Sequence, residues 1–285
     1  MGVIRDAATE TLRAPDSVEA QVVIDASNSE FWNELCGTGL ARSLDITDAS
    51  SESLARFDAE YWRLYPYLHR YVTDADLAGQ KLLEIGLGFG SLGHLLIEQG
   101  ADYNGLDIAA NAVDMMRHRL RLRGVVIPNQ VQHGSALEIP YDDGTFDRLY
   151  SIGCLHHTGN LPRAISEVHR VLRPGGQALL MLYNRYSWRQ VMMRVAAWWR
   201  PSSDEAERLR SAYDANAKGE SAPHTEYVSR RDIRQLFHRF HKIRIESRNM
   251  DPMLKGRISR DALLNNLGRL VGLDLYIFAT KPSSP

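Results

Sequence analysis

Leu82-Leu83-Glu84-Ile85-Gly86-Leu87-Gly88-Phe89-Gly90-Ser91-Leu92-Gly93 is the stretch that decides the fold. A short apolar run contains Glu84, glycines follow at 86, 88 and 90, and Gly93 lies one turn into a predicted helix. Strand, glycine turn and helix in that order make a nucleotide cradle. The glycines permit a tight turn and close approach of backbone to ligand, and N–H groups of the first helical turn face it. Gly88, Gly90 and Gly93 satisfy the Gly-x-Gly-x-x-Gly spacing of dinucleotide sites. The other register, Glu84-x-Gly86-x-Gly88-x-Gly90, sets an acid ahead of the glycines. A carboxylate there suits a cationic ligand and repels a pyrophosphate.

The residues downstream separate the two registers. Lys81 to Ile85 reads as the first core strand, and Ser91 to Gln99 as a helix with Leu92, Leu95 and Leu96 inward and Gly100 as its stop. Tyr103 to Ile108 reads as the second strand. Its Asp107 lies about 20 residues beyond the loop, where either fold places an acid for the ribose hydroxyls. Asn111 to Arg123 is helical, with Val113, Met116 and Leu120 inward; its basic run (Arg117, His118, Arg119, Arg121, Arg123) reads as a solvated face. A third strand falls within Val125 to His133. Gly134-Ser135-Ala136 and Ile139-Pro140-Tyr141-Asp142-Asp143-Gly144-Thr145-Phe146-Asp147 follow. A strand over Arg148 to Cys154 then leads to Leu155-His156-His157, an amphipathic helix over Leu161 to Leu172, Arg173-Pro174-Gly175-Gly176 and an apolar strand over Gln177 to Tyr183.

These motifs, in this order over roughly residues 80–185, resemble the methyltransferase-11-type branch of the class I S-adenosylmethionine (SAM) methyltransferases. The resemblance implies an α/β fold, a Rossmann-like three-layer sandwich with a seven-stranded mixed sheet, its last strand antiparallel, and here an N-terminal helical cap. It implies SAM as cofactor, S-adenosylhomocysteine as product, and in-line methyl transfer to a small organic acceptor. Glu84 and the backbone of Gly86, Gly88 and Gly90 are expected to hold the methionine part, and Asp107 with Ile108 the ribose. Ser135 and Ala136 are expected beside the adenine, with Ile152 to Leu155 as the floor. Ser135 departs from the pattern, because the family usually places an acid there to accept from the adenine amino group. A hydroxyl also accepts, but without charge.

His156 and His157 follow the fourth strand at the carboxyl edge of the sheet, where ligands sit. They are the candidates for proton transfer, set against a packing role. Tyr61, Tyr65, Tyr183 and Trp188 are the candidates for orienting substrate. No metal-ligand spacing is visible, and the ten histidines are dispersed.

Residues 1–30 read as a mobile or surface-laid arm. Phe57 to Tyr71 is dense in aromatics at partly helical spacing, which suits either a helix packed on the domain or a cap at the mouth of the site. Residues 1–75 are therefore set apart as arm and cap, and 76–285 as the SAM-binding domain. A lid-like insertion spans about 184–228: a Trp- and Arg-rich helix over Arg185 to Arg200, then a polar, mobile crossing from Pro201 to Pro223. Ser229 can cap the next helix, and Lys242 to Ser247 with Leu273 to Lys281 read as an antiparallel pair at the sheet edge.

The chain of 285 residues is 44% hydrophobic and 24% charged, an ordinary globular composition. A net charge of −1 gives no general attraction to nucleic acid, and no uncharged stretch is long enough for stable membrane insertion. Two cysteines without redox spacing and no apolar leader fit a cytoplasmic location. Nothing specifies an oligomeric state. Two rivals stand beside the methyltransferase. An NAD(P)-dependent Rossmann oxidoreductase needs a Tyr-x-x-x-Lys or equivalent, which is absent. A non-catalytic SAM-binding partner subunit predicts a degraded glycine loop, and this loop is intact.

Overall fold

The computed structural model describes residues 14–125, 130–199, 205–251 and 258–283. Four helices precede the sheet: α1 (Val18–Trp32), α2 (Thr38–Ser43), α3 (Ser51–Leu64) and α4 (Pro66–Thr73). Ser17 caps α1 by accepting from the Ala20 N–H, Ser50 caps α3 in the same way, and Pro66 opens α4. The alternating part follows as β1 (Lys81–Ile85), α5 (Ser91–Glu98), β2 (Asp102–Asp107), α6 (Ala110–Leu122), β3 (Val131–His133), β4 (Phe146–Ile152), α7 (Leu161–Val171) and β5 (Leu172–Tyr183). Next come α8 (Trp188–Trp199), α9 (Glu205–Tyr213), α10 (Arg230–Leu236), β6 (His241–Arg248), α11 (Arg260–Leu264), α12 (Gly268–Val271) and β7 (Asp274–Thr280).

The seven strands form one sheet in the order β3-β2-β1-β4-β5-β7-β6. β7 runs antiparallel to β5 and β6, and the other pairings are parallel, as the resemblance implied. Pairing with β4 jumps from Leu172 to Gln177, so the Arg173 to Gly176 turn is looped out of register. Helices cover both faces. On one, Leu161, Ile165 and Val168 of α7 and Ile233 of α10 pack with Leu149, Leu180 and Ile277. On the other, Leu68 and Val72 of α4, Leu95 and Leu96 of α5 and Met116 of α6 pack with Leu82 and Leu179. The cap thus shares the sheet's own core. Tyr67 meets Tyr276 of β7 edge-on and Tyr71 meets it at a tilt, so these two aromatics are packing residues.

Three expectations are corrected. First, residues 18–32 are a helix and not a loose arm; residues 1–13 lie outside the described part. Its outer face leaves Val18, Val22 and Val23 exposed, and its inner face is held by polar contacts, so no apolar stripe announces it. Asn28 donates to the His157 carbonyl (2.6 Å), Ser29 to the Ile108 carbonyl (2.9 Å) and Gln21 to the Thr158 carbonyl (2.8 Å).

Second, the 201–223 crossing is anchored where it is described, residues 201–204 lying outside. It contains α9 and returns through an Asn184–Val228 bridge, with the Glu226 N–H on the His156 carbonyl (2.7 Å). Third, Arg119 is 3% exposed and not solvated. Its guanidinium meets both Asp58 oxygens (2.8 and 2.9 Å) and the Phe89 carbonyl (2.5 Å), tying α3, α6 and the glycine loop together. The third strand, β3, falls within the expected span, and residues 126–129 lie outside the described part.

Candidate functional site

β1 delivers the chain into a loop in which Gly86, Gly88 and Gly90 all have positive φ. Gly86 shows the necessity most plainly. At φ +86°, a Cβ there would stand 2.5 Å from the Cys154 Cβ. Gly93 is required for a different reason. A Cβ at that helical position would lie 2.6 Å from both the Glu84 carboxylate and the Tyr103 hydroxyl. Its absence lets these two groups meet beneath α5, where the Tyr103 hydroxyl donates to Glu84 at 2.5 Å. Burial pushes the Glu84 carboxyl up to about 8, against the pull of that hydrogen bond.

Asp107 closes β2 across the loop. Its two oxygens accept from the Leu87 N–H (2.6 Å) and the Ala109 N–H (2.8 Å). Burial raises its carboxyl above the ordinary value while these backbone donors oppose the rise. The same contacts fix the carboxylate at the mouth of the loop, with lone pairs left for further donors.

One cavity gathers most of the predicted residues. Glu84, Gly86, Gly88, Gly90, Asp107 and Ile108 line one side of it. Ser135, Ala136 and Ile152 line another, and Tyr61 and Tyr65 reach it from the cap. The Ser135 hydroxyl accepts from the Leu137 N–H (3.2 Å). Toward the cap the lining is apolar and aromatic, with Trp32, Leu40, Phe57, Leu64 and Phe89. Phe57 stacks on Phe89 at 4.3 Å, so the cap grips the glycine loop directly. Cys36 opens onto the same space and is exposed to it.

The two histidines part company. His157 lines the cavity with its ring 4.7 Å from Trp32, and its Nδ1 lies 2.7 Å from the His224 carbonyl. A carbonyl only accepts, so Nδ1 carries the proton. Its Nε2 stands 3.6 Å from Asp214 without a hydrogen bond among the described residues, and that carboxylate accepts from the Tyr183 hydroxyl (2.9 Å). Burial lowers the His157 pKa and Asp214 opposes the shift. His156 is fully buried, sandwiched between His157 (4.2 Å) and Tyr183 (4.0 Å), and does not line the cavity.

Three other expectations move. Leu155 turns into the core and leaves the floor to Ile152, Gly153 and Cys154. Tyr183 sits one layer back, holding Asp214. Trp188 packs on Met250, Leu263 and Leu264, away from the cavity. The sequence reading missed Asp25, Asn28 and Trp32, which α1 presents on one face at helical spacing, and Asp214 at the end of α9. The 25, 28, 32 spacing was the available signal, but two polar residues and one aromatic do not make an amphipathic stripe.

Among the described residues, no helix is long and apolar enough to cross a membrane, and no cluster of ligating side chains could hold a metal ion.

Residues 83–180 match the profile of the methyltransferase domain family. The chain is 33% identical over 132 residues to the phthiotriol/phenolphthiotriol dimycocerosates methyltransferase of Mycobacterium tuberculosis, covering 46% of this chain and 45% of that one. It is 29% identical over 138 residues to the fatty-acid O-methyltransferase of Mycolicibacterium smegmatis, covering 48% and 47%. The chain thus spans less than half the length of these curated relatives. Among solved structures, the geranyl diphosphate C-methyltransferase of Streptomyces coelicolor superposes with a TM-score of 0.52 at 17% identity, over 82% of this chain and 85% of that one. The putative methyltransferase bound to the Haloferax volcanii activator Trm112 superposes with a TM-score of 0.56 at 15% identity, over 82% and 96%.

Proposed function

We propose that the chain carries a class I SAM-dependent methyltransferase domain and transfers the methyl group of SAM to a small apolar acceptor. The observation carrying this reading is a single cavity that joins the Glu84, Gly86 to Gly90 and Asp107 cradle to an aromatic chamber.

The residues fit the cofactor. Glu84 offers a buried carboxylate to an ammonium, and the loop from Gly86 to Gly90 lets a ligand approach the backbone where any Cβ would block it. Asp107, with Ile108 beside it, would offer lone pairs to ribose hydroxyls, and Ser135 and Ala136 would flank the nucleobase. When bound, SAM supplies a methyl group already activated by its sulfonium. The chain's part is then to orient the acceptor in line with that methyl and to exclude water. Tyr61, Tyr65, Phe57 and Trp32 do both, since they wall the acceptor side with apolar surface.

An acceptor rich in hydrocarbon or aromatic surface suits that chamber, and a fatty acid is the substrate named for one relative. We assign to His157 the taking of a proton where the acceptor must lose one; Asp214, 3.6 Å from its Nε2, would favour the protonated ring. His156 packs behind it. Tyr183 positions Asp214, and Trp188 closes a satellite core. The described part of the cap walls the cavity through Asp25, Trp32, Phe57, Tyr61 and Tyr65, and the 184–228 insertion packs behind it through Asp214 on His157. The two free cysteines suit a reducing, cytoplasmic compartment, and the near-zero net charge argues against a nucleic-acid acceptor.

Methylation of a panel of fatty acids, phenols and terpenoid alcohols, with labelled SAM, tests the reading. Label transfer to an apolar acceptor supports it, and transfer only to polar or nucleic-acid acceptors contradicts it. His157→Asn should lower kcat more than it weakens S-adenosylhomocysteine binding, and equal losses would remove the proton-transfer role.

A further inference from the structure

The helix outside the matched domain, α1, turns two hydrogen-bond acceptors toward the nucleoside end of the cavity. Asp25 and Asn28 lie three residues apart on one helical face, and both line the cavity. Asn28 is 3% exposed, and its amide nitrogen is committed to the His157 carbonyl at 2.6 Å. Its Oδ1 is buried and has no hydrogen-bond partner among the described residues. A buried acceptor left unmatched costs free energy, so it marks a place where a donor is missing.

Asp25 is half-buried and forms no ion pair among the described residues. Its carboxylate accepts from the Gln21 amide at 2.8 Å and lies within hydrogen-bonding reach of the Ser135 hydroxyl. The Gln21 amide is itself fixed on the Thr158 carbonyl at 2.8 Å, so the carboxylate is oriented. Burial raises the Asp25 carboxyl above its ordinary value, while hydrogen bonding from Gln21 and Ser135 opposes the rise. No cation compensates this carboxylate among the described residues, and beyond these two donors it keeps lone pairs for another. Ser135, beside it, is a neutral hydroxyl that accepts from the Leu137 N–H.

The nucleobase that SAM carries presents one exocyclic donor, the adenine amino group. We infer that α1 supplies the charged acceptor that the loop at Ser135 lacks: Asp25 accepts a hydrogen bond from the adenine amino group, and adenine is read by the N-terminal helix. Ser29, on the Ile108 carbonyl, and Gln21, on the Thr158 carbonyl, hold the helix in register for it. The inference rests on the SAM-binding reading above.

The test is calorimetric titration of the full chain with S-adenosylhomocysteine and with its analogue carrying hydrogen in place of the adenine amino group. A charge-assisted hydrogen bond predicts that wild type prefers the amino compound by about tenfold or more. Asp25→Ala should bind both within about twofold, and Asp25→Ala with Ser135→Asp should recover part of the preference. A wild type without preference, or Asp25→Ala with the wild-type preference, overturns the inference and leaves the SAM reading standing. A wild type that binds neither compound overturns the SAM reading itself.

Discussion

The two ends of the cavity are built in different ways. At the glycine-loop end, residues 82–107 form consecutive elements of one buried unit: Glu84, Gly93 and Tyr103 interlock, and Asp107 reaches back to the loop backbone. At the far end the wall comes from α1 and from His157, behind which Asp214 packs, so residues far apart in sequence meet there. The contacts there are isolated polar ones: Asn28 on the His157 carbonyl, Gln21 on Thr158, Asp214 on His157 and Tyr183. The loop end is thus part of the core's stability, whereas the far wall closes the site without carrying the fold.

Substitutions should separate the two ends by what they break. The largest effect is expected at Arg119, whose buried guanidinium joins α3, α6 and the loop. Arg119→Ala leaves Asp58 without its partner and should cost about 3–5 kcal/mol in denaturant unfolding. Arg117→Ala, on the same helix but half-exposed, should cost under about 0.5 kcal/mol. Gly86→Ala comes next, at roughly 2–3 kcal/mol, because a left-handed φ and a contact with Cys154 must both be relieved.

Asn28→Ala should be milder, near 1 kcal/mol, since one hydrogen bond is lost and one unmatched acceptor is removed with it. If Asn28→Ala destabilised as much as Arg119→Ala, the wall would have to be counted as core. Val22→Ala, on the exposed face of α1, should be silent within about 0.5 kcal/mol.

A pH effect sharpens the same contrast. The Glu84 carboxyl, raised by burial to about 8, is mostly protonated at pH 7 in the free protein. A cation beside it favours the carboxylate, so binding of an ammonium at pH 7 should release protons, and affinity should rise with pH toward 8. In the free protein the sign is opposite: the stability contributed by protonated Glu84 is full below its ordinary value of 4.5 and is lost as pH rises through about 8. Calorimetry in buffers of different ionisation enthalpy should detect the released protons in wild type and not in Glu84→Gln.

The same division explains what could be read from residues alone. The central strands, the glycine turn, Glu84 and Asp107 follow from short-range spacing and apolar runs, which backbone sterics convert directly into structure, whereas the seven-stranded mixed sheet was implied by the family resemblance. Arg119 was read as solvated because neighbours on every side of α6 are basic; only the fold supplies Asp58 and the Phe89 carbonyl. α1 and Asp214 were hidden because their contacts are polar and distant, and such contacts leave no period in the sequence. His156 and His157 are adjacent and chemically alike, and a short helical turn sends one to the cavity and the other into the core.

The central claim is that the cradle formed by Glu84, Gly86 to Gly90 and Asp107 holds SAM. The most direct measurement is calorimetric titration of the full chain with SAM and with NAD⁺, repeated on Asp107→Ala. The account predicts saturable SAM binding, its loss or weakening by roughly tenfold or more in Asp107→Ala, and no NAD⁺ binding. Tight NAD⁺ binding, or SAM binding indifferent to Asp107, would contradict it.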